Sequence, residues 1–292
     1  MSQVSVCLAK NTDYQNIRKT IENSIDLIDF KFKKNAVNVL IKPNLNYYYD
    51  YSTGYTTDPN FVSAVIDVVR ERITSDPNVS IIESDASAMK CKYAFKILGY
   101  EKLSVEKGVP LINLSTQKSE KTNVKVLNEE FKFSIPDVIK KADILINIPK
   151  IKYIGDVKIT CAMKNIFGCN AYEKKYKYHK SLSFAVVGIN KLIKTDLVII
   201  DGIIVNGIVT KKLGLVMASE DPVAIDSAAA SLLGLNPNSI KFLDVAVKEK
   251  LGNKNYVIKG EPLDTIKKIV PKKELNHKLY DFMVKNYMKI FK

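Results

Sequence analysis

Three short segments place lysine beside proline or apolar residues, two of them together with asparagine, and these residue types are suited to holding an anion. The segments are IKPN at 41–44, PK at 149–150 and MKN at 163–165. Lysine stems can lie along apolar surface while the ammonium group reaches a cleft. We therefore expect these lysines to bind a carboxylate or phosphate group and the amides to orient it. The predicted substrate-binding residues are Lys42, Asn44, Lys150, Lys164 and Asn165.

Acidic side chains and one histidine are candidates for proton transfer or metal binding. Glu83 and Asp201 each follow or end an apolar run, and His179 adjoins a lysine-rich segment. We predict these three as catalytic acids or bases. Asp221 and Asp226 are candidate ligands for a divalent metal, although Asp221 also stands where it would cap a helix. Because the chain has two histidines in total, a zinc site built from several imidazoles is excluded.

Other lysines near the same segments are expected to face water or to steer anions from the surface. They are Lys152, Lys174, Lys175 and Lys177. The four cysteines, Cys7, Cys91, Cys161 and Cys169, are widely spaced and include no C-x-x-C motif. We expect buried, inert thiols and no intrinsic iron–sulfur cluster.

The elements that must position these residues alternate between strands and helices. Apolar runs predict strands at 4–9, 37–41, 79–82, 109–114, 143–148, 196–201 and 213–218. Helical patterns lie at 13–28, 59–73, 86–98, 135–142 and 181–193, another helix begins at Asp221-Pro222, and residues 125–133 suggest a hairpin. This alternation is typical of an α/β fold with a mostly parallel sheet flanked by helices. The carboxyl ends of four strands are polar, which predicts a ligand cleft there.

The predicted domain organisation is one α/β domain of 292 residues, with two lobes of about 1–150 and 151–265 and the ligand cleft between them. Residues 266–292 are predicted to form a basic amphipathic helix. It would pack on the body or on a second subunit, so a homodimer is one expectation, and adsorption to an anionic membrane is the alternative. No apolar run is long enough for a transmembrane helix and no secretory signal is evident, so we expect a cytoplasmic protein.

The formal net charge is +14, and two segments, 150–180 and 267–292, each carry +6 of it. This basicity admits nucleic-acid binding, but arginine is absent from both segments and no nucleic-acid-binding module is present. A scaffold or electron-transfer partner that docks an acidic protein is a further alternative. No G-x-G-x-x-G or P-loop motif occurs, so neither a dinucleotide fingerprint nor a Walker site is predicted.

Several motifs occur in a familiar order: IKPNL (41–45), TTDP (56–59), DILINIPK (143–150), MKNIFG (163–168), DGI (201–203) and MASEDPVAID (217–226). In this combination the chain resembles the domain of unknown function 362 family over about residues 37–235. Relatives often read Lys-x-Lys-Thr-His after the proline, whereas this chain reads Lys150-Ile151-Lys152-Tyr153-Ile154. A more distant analogy, at the level of fold alone, is to the lactate racemase type of two-lobed protein.

The resemblance implies no assigned reaction. Many relatives carry a ferredoxin-like module with clustered cysteines, which favours reduction and, for this chain, a separate ferredoxin-like donor. The residue types themselves favour proton transfer. The leading hypothesis is a cytoplasmic enzyme acting on a small anionic metabolite by proton-transfer or reductive chemistry.

Overall fold

The computed structural model describes residues 1–45, 47–154, 157–207 and 209–271. Its strands are β1 (Ser2–Leu8), β2 (Asn38–Pro43), β3 (Asn78–Glu83), β4 (Leu111–Asn113), β5 (Ser119–Val126), β6 (Glu129–Pro136), β7 (Ile144–Ile148), β8 (Lys152–Ile154), β9 (Lys158–Thr160), β10 (Leu197–Val205), β11 (Lys211–Ser219) and β12 (Tyr256–Gly260). Its helices are α1 (Tyr14–Leu27), α2 (Pro59–Arg72), α3 (Cys91–Ile97), α4 (Tyr100–Lys107), α5 (Asp137–Lys140), α6 (Ala162–Ile166), α7 (Leu182–Leu192), α8 (Pro222–Leu232), α9 (Lys241–Lys248) and α10 (Leu263–Lys267).

Eight strands form one mixed sheet in the order β12-β1-β11-β10-β7-β2-β3-β4. Its neighbouring strands are parallel except at β11, which runs antiparallel to both β1 and β10. The prediction of a mostly parallel sheet flanked by helices is confirmed. The predicted hairpin is confirmed as β5–β6. A second hairpin, β8–β9, was not predicted and carries Lys152.

Helices cover both faces of the sheet because successive strand residues point to opposite sides. In β2, Val39 and Ile41 pack into a core with α1 to α4, whereas Leu40 packs into a second core with α6 to α9. The same alternation occurs in β10. The apolar runs of the central strands are therefore continuous, since each residue of such a strand enters one core or the other.

Helix starts follow local capping chemistry. Asp13, Asp58 and Asp221 cap α1, α2 and α8, and each accepts a hydrogen bond from a backbone N–H of the first turn. In α2 and α8 a proline follows the cap, where its missing N–H costs nothing. The predicted start of a helix at Asp221-Pro222 is confirmed.

The sheet takes strands from both predicted lobes, and the division into lobes with a cleft between them stays a prediction. The predicted C-terminal helix at 266–292 falls mostly outside the described residues. In the part of the chain that the structure describes, no helix is both long and apolar enough to cross a membrane.

Candidate active site

Two buried ion pairs lie at the carboxyl edge of the parallel strands. Lys42 in β2 and Glu83 in β3 stand on adjacent strands, and the Lys42 Nζ lies 2.7 Å from the Glu83 Oε2. Lys150 follows β7, and its Nζ lies 3.2 Å from the Oδ2 of Asp201 in β10. The four side chains are 1–5% exposed. The structure thus brings four of the predicted site residues together, as two cation–carboxylate pairs.

Backbone groups complete both pairs. The Lys42 Nζ donates to the carbonyl of Pro43 at 2.6 Å, and the Lys150 Nζ donates to the carbonyl of Ile204 at 2.9 Å. Glu83 accepts from the backbone N–H groups of Ser84 and Leu45. A buried ion pair offsets its desolvation only when such additional hydrogen bonds satisfy the remaining donors and acceptors.

Asp201 is placed by an irregularity in its strand. The pairing of β10 with β11 shifts between Gly202 and Ile204. A Cβ on Gly202 would lie 2.8 Å from the carbonyl oxygen of Leu215, so this position needs glycine. The two Asp201 oxygens accept from the backbone N–H groups of Ile203 at 3.1 Å and Asp58 at 3.0 Å. The DGI motif therefore fixes the carboxylate that holds Lys150.

Three asparagines connect the strand edge to α6. The Asn165 Nδ2 donates to the Asn147 Oδ1 at 2.7 Å and to the Lys42 carbonyl at 3.2 Å. The Asn44 Nδ2 donates to the Asn165 Oδ1 at 2.8 Å. Asn44 and Asn165 were predicted from the sequence, but Asn147 was not. A lone asparagine inside the apolar run of β7 was the available signal.

The prediction that Lys152 faces water is wrong, because hairpin β8–β9 buries it. Lys152 is 5% exposed, and its Nζ donates to the Asn44 Oδ1 at 2.5 Å and to the Tyr55 carbonyl at 2.9 Å. No carboxylate of the described residues lies within ion-pair distance of it. Burial, and then the ammonium groups of Lys150, Lys164 and Lys42, lower the pKa of Lys152 to about 7.

Lys175 is also buried, contrary to the sequence-based prediction, with 7% exposure. Its Nζ donates to the Ser84 Oγ at 2.5 Å and to the Asp85 carbonyl at 2.7 Å. Burial lowers its pKa to about 8, against a raising effect of Glu83. Lys174 and Lys177 are exposed, as predicted.

Lys164 and Gly168 lie on the segment that follows β9. Lys164 is partly exposed on α6, and its Nζ lies 4.9 Å from the ring centroid of Phe167. A Cβ on Gly168 would lie 3.0 Å from the Lys42 Cε and 3.2 Å from the Glu83 Oε1. The MKNIFG motif therefore packs directly against the Lys42–Glu83 pair. His179 is exposed on a short 3-10 helix, Lys175–Ser181.

Asp58, from the TTDP motif, adds a buried carboxyl beside Asp201. It caps α2 through the N–H of Asn60 at 2.8 Å. Burial, and then the charge of Asp201, raise the pKa of Asp58 to about 6. In the same motif the Thr57 Oγ1 donates to the Ile148 carbonyl and accepts from the Asn44 N–H. Sequence reasoning singled out this motif but assigned Asp58 no role.

The two candidate metal ligands have other partners. Asp221 accepts from the N–H groups of Val223 and Ala224 as the cap of α8. Asp226 is fully buried and accepts from the N–H groups of Ala162 at 2.6 Å and Met163 at 3.0 Å. Burial raises the pKa of Asp226 to about 7.

These contacts give Asp226 a positioning role, because it fixes the start of α6 and hence Lys164 and Asn165. Across the described ranges, no group of three or more His, Cys, Asp or Glu side chains is arranged to hold a metal ion. A metal at Asp221 and Asp226 stays a prediction that these contacts do not support.

Burial keeps the cysteines near this edge as thiols. Cys91, Cys161 and Cys169 are buried, and burial raises the pKa of each, that of Cys169 to about 12. Inert thiols are the state expected for such surroundings.

An open depression of about 430 Å³ lies at the opposite edge of the sheet, near the start of β7. Its lining residues include Lys33, Ile144, Lys194 and Glu220, and none of the predicted site residues. Because ligands of open α/β sheets bind beyond the carboxyl ends of the strands, the lysine cluster is the better candidate site. We use "lysine cluster" for Lys42, Lys150, Lys152, Lys164 and Lys175.

The chain is similar to a curated relative, to a solved structure and to the members of one family. A thylakoid-associated protein of Synechocystis sp. is 33% identical over 124 residues, which are 38% of this chain and 38% of that protein. The match therefore spans well under half of the length of the curated relative.

The lactate racemase apoprotein from Thermoanaerobacterium thermosaccharolyticum superposes with a TM-score of 0.47 at 10% identity, over 80% of this chain and 58% of that one. A likeness at this level carries no conclusion about activity. The model of a family described as a domain of unknown function, DUF362, matches residues 39–231. The matched range contains all of the predicted site residues.

Proposed function

The chain belongs to the DUF362 family, and from this premise we propose that its lysine cluster binds a small anionic metabolite and that Lys152 exchanges a proton with it. The observation that carries the proposal is the burial of Lys152 among other lysines with no carboxylate partner in the described part of the chain. That the protein is an enzyme and that it is cytoplasmic are both parts of this proposal.

The charges in the cluster favour an anion as its ligand. Lys42 and Lys150 each have a carboxylate partner, whereas the ammonium groups of Lys152 and Lys175 face neutral oxygens. Burying a charged lysine without a counter-ion is costly, and the group responds by losing its proton. A bound carboxylate or phosphate would supply the counter-charge and favour the protonated lysine.

The residues then divide into two roles. In this proposal, Lys42 and Lys150 are fixed cations, and Glu83 and Asp201 hold them instead of acting as catalytic bases. Lys152 takes the base role, because an amine with a pKa near the operating pH can both accept and return a proton. His179 is not needed for this chemistry. Whether a separate ferredoxin-like donor adds a reductive step stays a prediction.

The test is the binding of simple anions to purified protein. Inorganic phosphate, pyruvate and lactate are titrated at constant ionic strength with chloride as the reference anion, by calorimetry and thermal unfolding. We expect saturable binding of at least one of them. Lys164→Met, which keeps most of the stem, should weaken it by about 1.5–3 kcal/mol, the contribution of a hydrogen bond to a charged group.

The matched control is Lys174→Met, since Lys174 is exposed. Lys175, although expected at the surface from sequence, is buried and cannot serve. Equal small losses in both variants, or no saturable binding of any of the three anions, would overturn the proposal.

A further inference from the structure

We propose that the Nζ of Lys152 forms an imine with the carbonyl carbon of its ligand, so that the substrate class is a small anionic aldehyde or ketone. This inference rests on the proposed function, because it uses the same site and the same anion. It adds a covalent step and a chemical class of substrate, neither of which anion binding alone requires.

The hydrogen bonds of Lys152 match a neutral amine. A neutral amine has two N–H groups and one lone pair, whereas an ammonium has three N–H groups. The structure gives the Nζ two acceptors, the Asn44 Oδ1 and the Tyr55 carbonyl. With both N–H groups engaged in this way, the lone pair is left for bonding to carbon.

Two neighbouring lysines have partners of a different kind. Lys42 and Lys150 each contact a carboxylate and a backbone carbonyl, which are partners for an ammonium. Within the described ranges, the cluster thus combines two lysines that pair with carboxylates and two, Lys152 and Lys175, that contact neutral oxygens. The pKa of Lys152 is lowered further, to about 7, than that of Lys175, to about 8. A desolvated lysine next to other cationic groups is the arrangement that activates an amine as a nucleophile.

The step balances without a further reactant. The Nζ lone pair forms the C–N bond, and the two hydrogens of the amine leave with the carbonyl oxygen as water. The imine nitrogen can then take up one proton, and the resulting cation withdraws electrons from the former carbonyl carbon.

Reductive trapping tests the imine. Protein is incubated at pH 7 with sodium cyanoborohydride and either pyruvate, which bears a carboxylate, or dihydroxyacetone phosphate, which bears a phosphate. Peptide mapping by mass spectrometry then locates the reduced adduct. We expect Lys152 to be modified at least about tenfold more than exposed lysines such as Lys174, because ordinary lysines are almost fully protonated at this pH.

Lactate, which has a carboxylate but no aldehyde or ketone group, is the non-trapping control. Lys152→Met should abolish the adduct, whereas Lys174→Met should retain it. If Lys152→Met does not fold, the peptide map of the trapped wild-type protein is sufficient, because it shows directly whether Lys152 carries the adduct. Binding of pyruvate or dihydroxyacetone phosphate with no adduct at Lys152 would overturn the imine and leave the anion site standing. Absence of any binding by these probes and the three simple anions would overturn both.

Discussion

Replacing Lys150 with Met should lower the free energy of unfolding by about 3–5 kcal/mol, the usual cost of removing one partner of a buried ion pair. The Lys150 and Asp201 side chains are 2% and 1% exposed, so Asp201 would keep a buried charge with no cation at 3.2 Å. Its two hydrogen bonds from backbone N–H groups would remain but would not neutralise it. Urea denaturation at pH 7 measures the loss.

A second substitution distinguishes the effect of the unpaired Asp201 charge from the effect of altered side-chain packing. In Lys150→Met/Asp201→Asn the stranded charge is gone, so the double variant should be more stable than Lys150→Met alone. The matched control is Lys31→Met, which breaks an ion pair of 3.0 Å whose side chains are 83% and 80% exposed. It should change stability by no more than about 0.5 kcal/mol. If Lys150→Met lowered the free energy of unfolding no more than this control does, the buried pair would contribute no more to stability than an exposed one.

The stability of the protein should depend on pH through Lys152. An ordinary lysine in the unfolded chain titrates near 10.4, whereas burial and neighbouring ammonium groups lower the pKa of Lys152 to about 7 in the folded state. Between these values the unfolded chain binds more protons, so the contribution of Lys152 to stability rises with pH. Below about pH 7 Lys152 is protonated in both states, and the destabilisation that its buried charge causes is complete. This destabilisation is on the order of 5 kcal/mol, at about 1.36 kcal/mol per pKa unit.

Comparison with Lys152→Met isolates this contribution. The lowered pKa of Lys175 also makes stability rise with pH, above about pH 8. The raised pKa values of Asp58 and Asp226 make stability fall as the pH rises, below about pH 7. These contributions are largely shared by both proteins. The stability of Lys152→Met relative to wild type should therefore be greatest near pH 6 and fall by several kcal/mol towards pH 10.

The substitution also removes the donor to Asn44 and Tyr55, which adds an offset that does not vary with pH. Lys152 also interacts electrostatically with Lys150, Lys164, Lys42 and Cys161. The measured change in stability therefore includes the loss of repulsion between lysines. Lys174→Met should show no pH-dependent difference from wild type. A difference that stayed constant between pH 6 and pH 10 for Lys152→Met would mean that Lys152 titrates normally.

The sequence was sufficient to predict that four of the proposed site residues lie at one edge of the sheet. Lys42, Glu83, Lys150 and Asp201 follow or end apolar runs, and the ends of parallel strands meet at one edge of a sheet. That reasoning does not reveal that the carboxylates pair with the lysines. The distance between side chains on different strands depends on the strand order, in which β7 lies between β2 and β10.

Lys152 and Lys175 could not be separated from surface lysines by composition. Their burial depends on hairpin β8–β9 and on the 3-10 helix Lys175–Ser181, neither of which has a strong local pattern. One signal was present for Lys152, which lies two residues after Lys150 between apolar Ile151 and Tyr153. Such spacing puts both lysines on the same side of an extended chain.

The antiparallel direction of β11 could have been predicted. β10 ends at Val205 and β11 begins at Lys211, and so short a connection suits a hairpin. A parallel crossover needs a dozen or more residues. The hydrophobic pattern of a strand carries no direction, so the connection length was the relevant observation.

The most direct test of the account is an NMR titration of Lys152 in protein with isotope-labelled lysine, assigned by the signal that Lys152→Met removes. The account predicts a midpoint near pH 7 in the free protein. It also predicts that a bound anion, either phosphate or pyruvate, raises this midpoint by about 1–3 pH units, as a nearby opposite charge does. A midpoint near pH 10, like that of an exposed lysine and unchanged by either anion, would contradict the central claim.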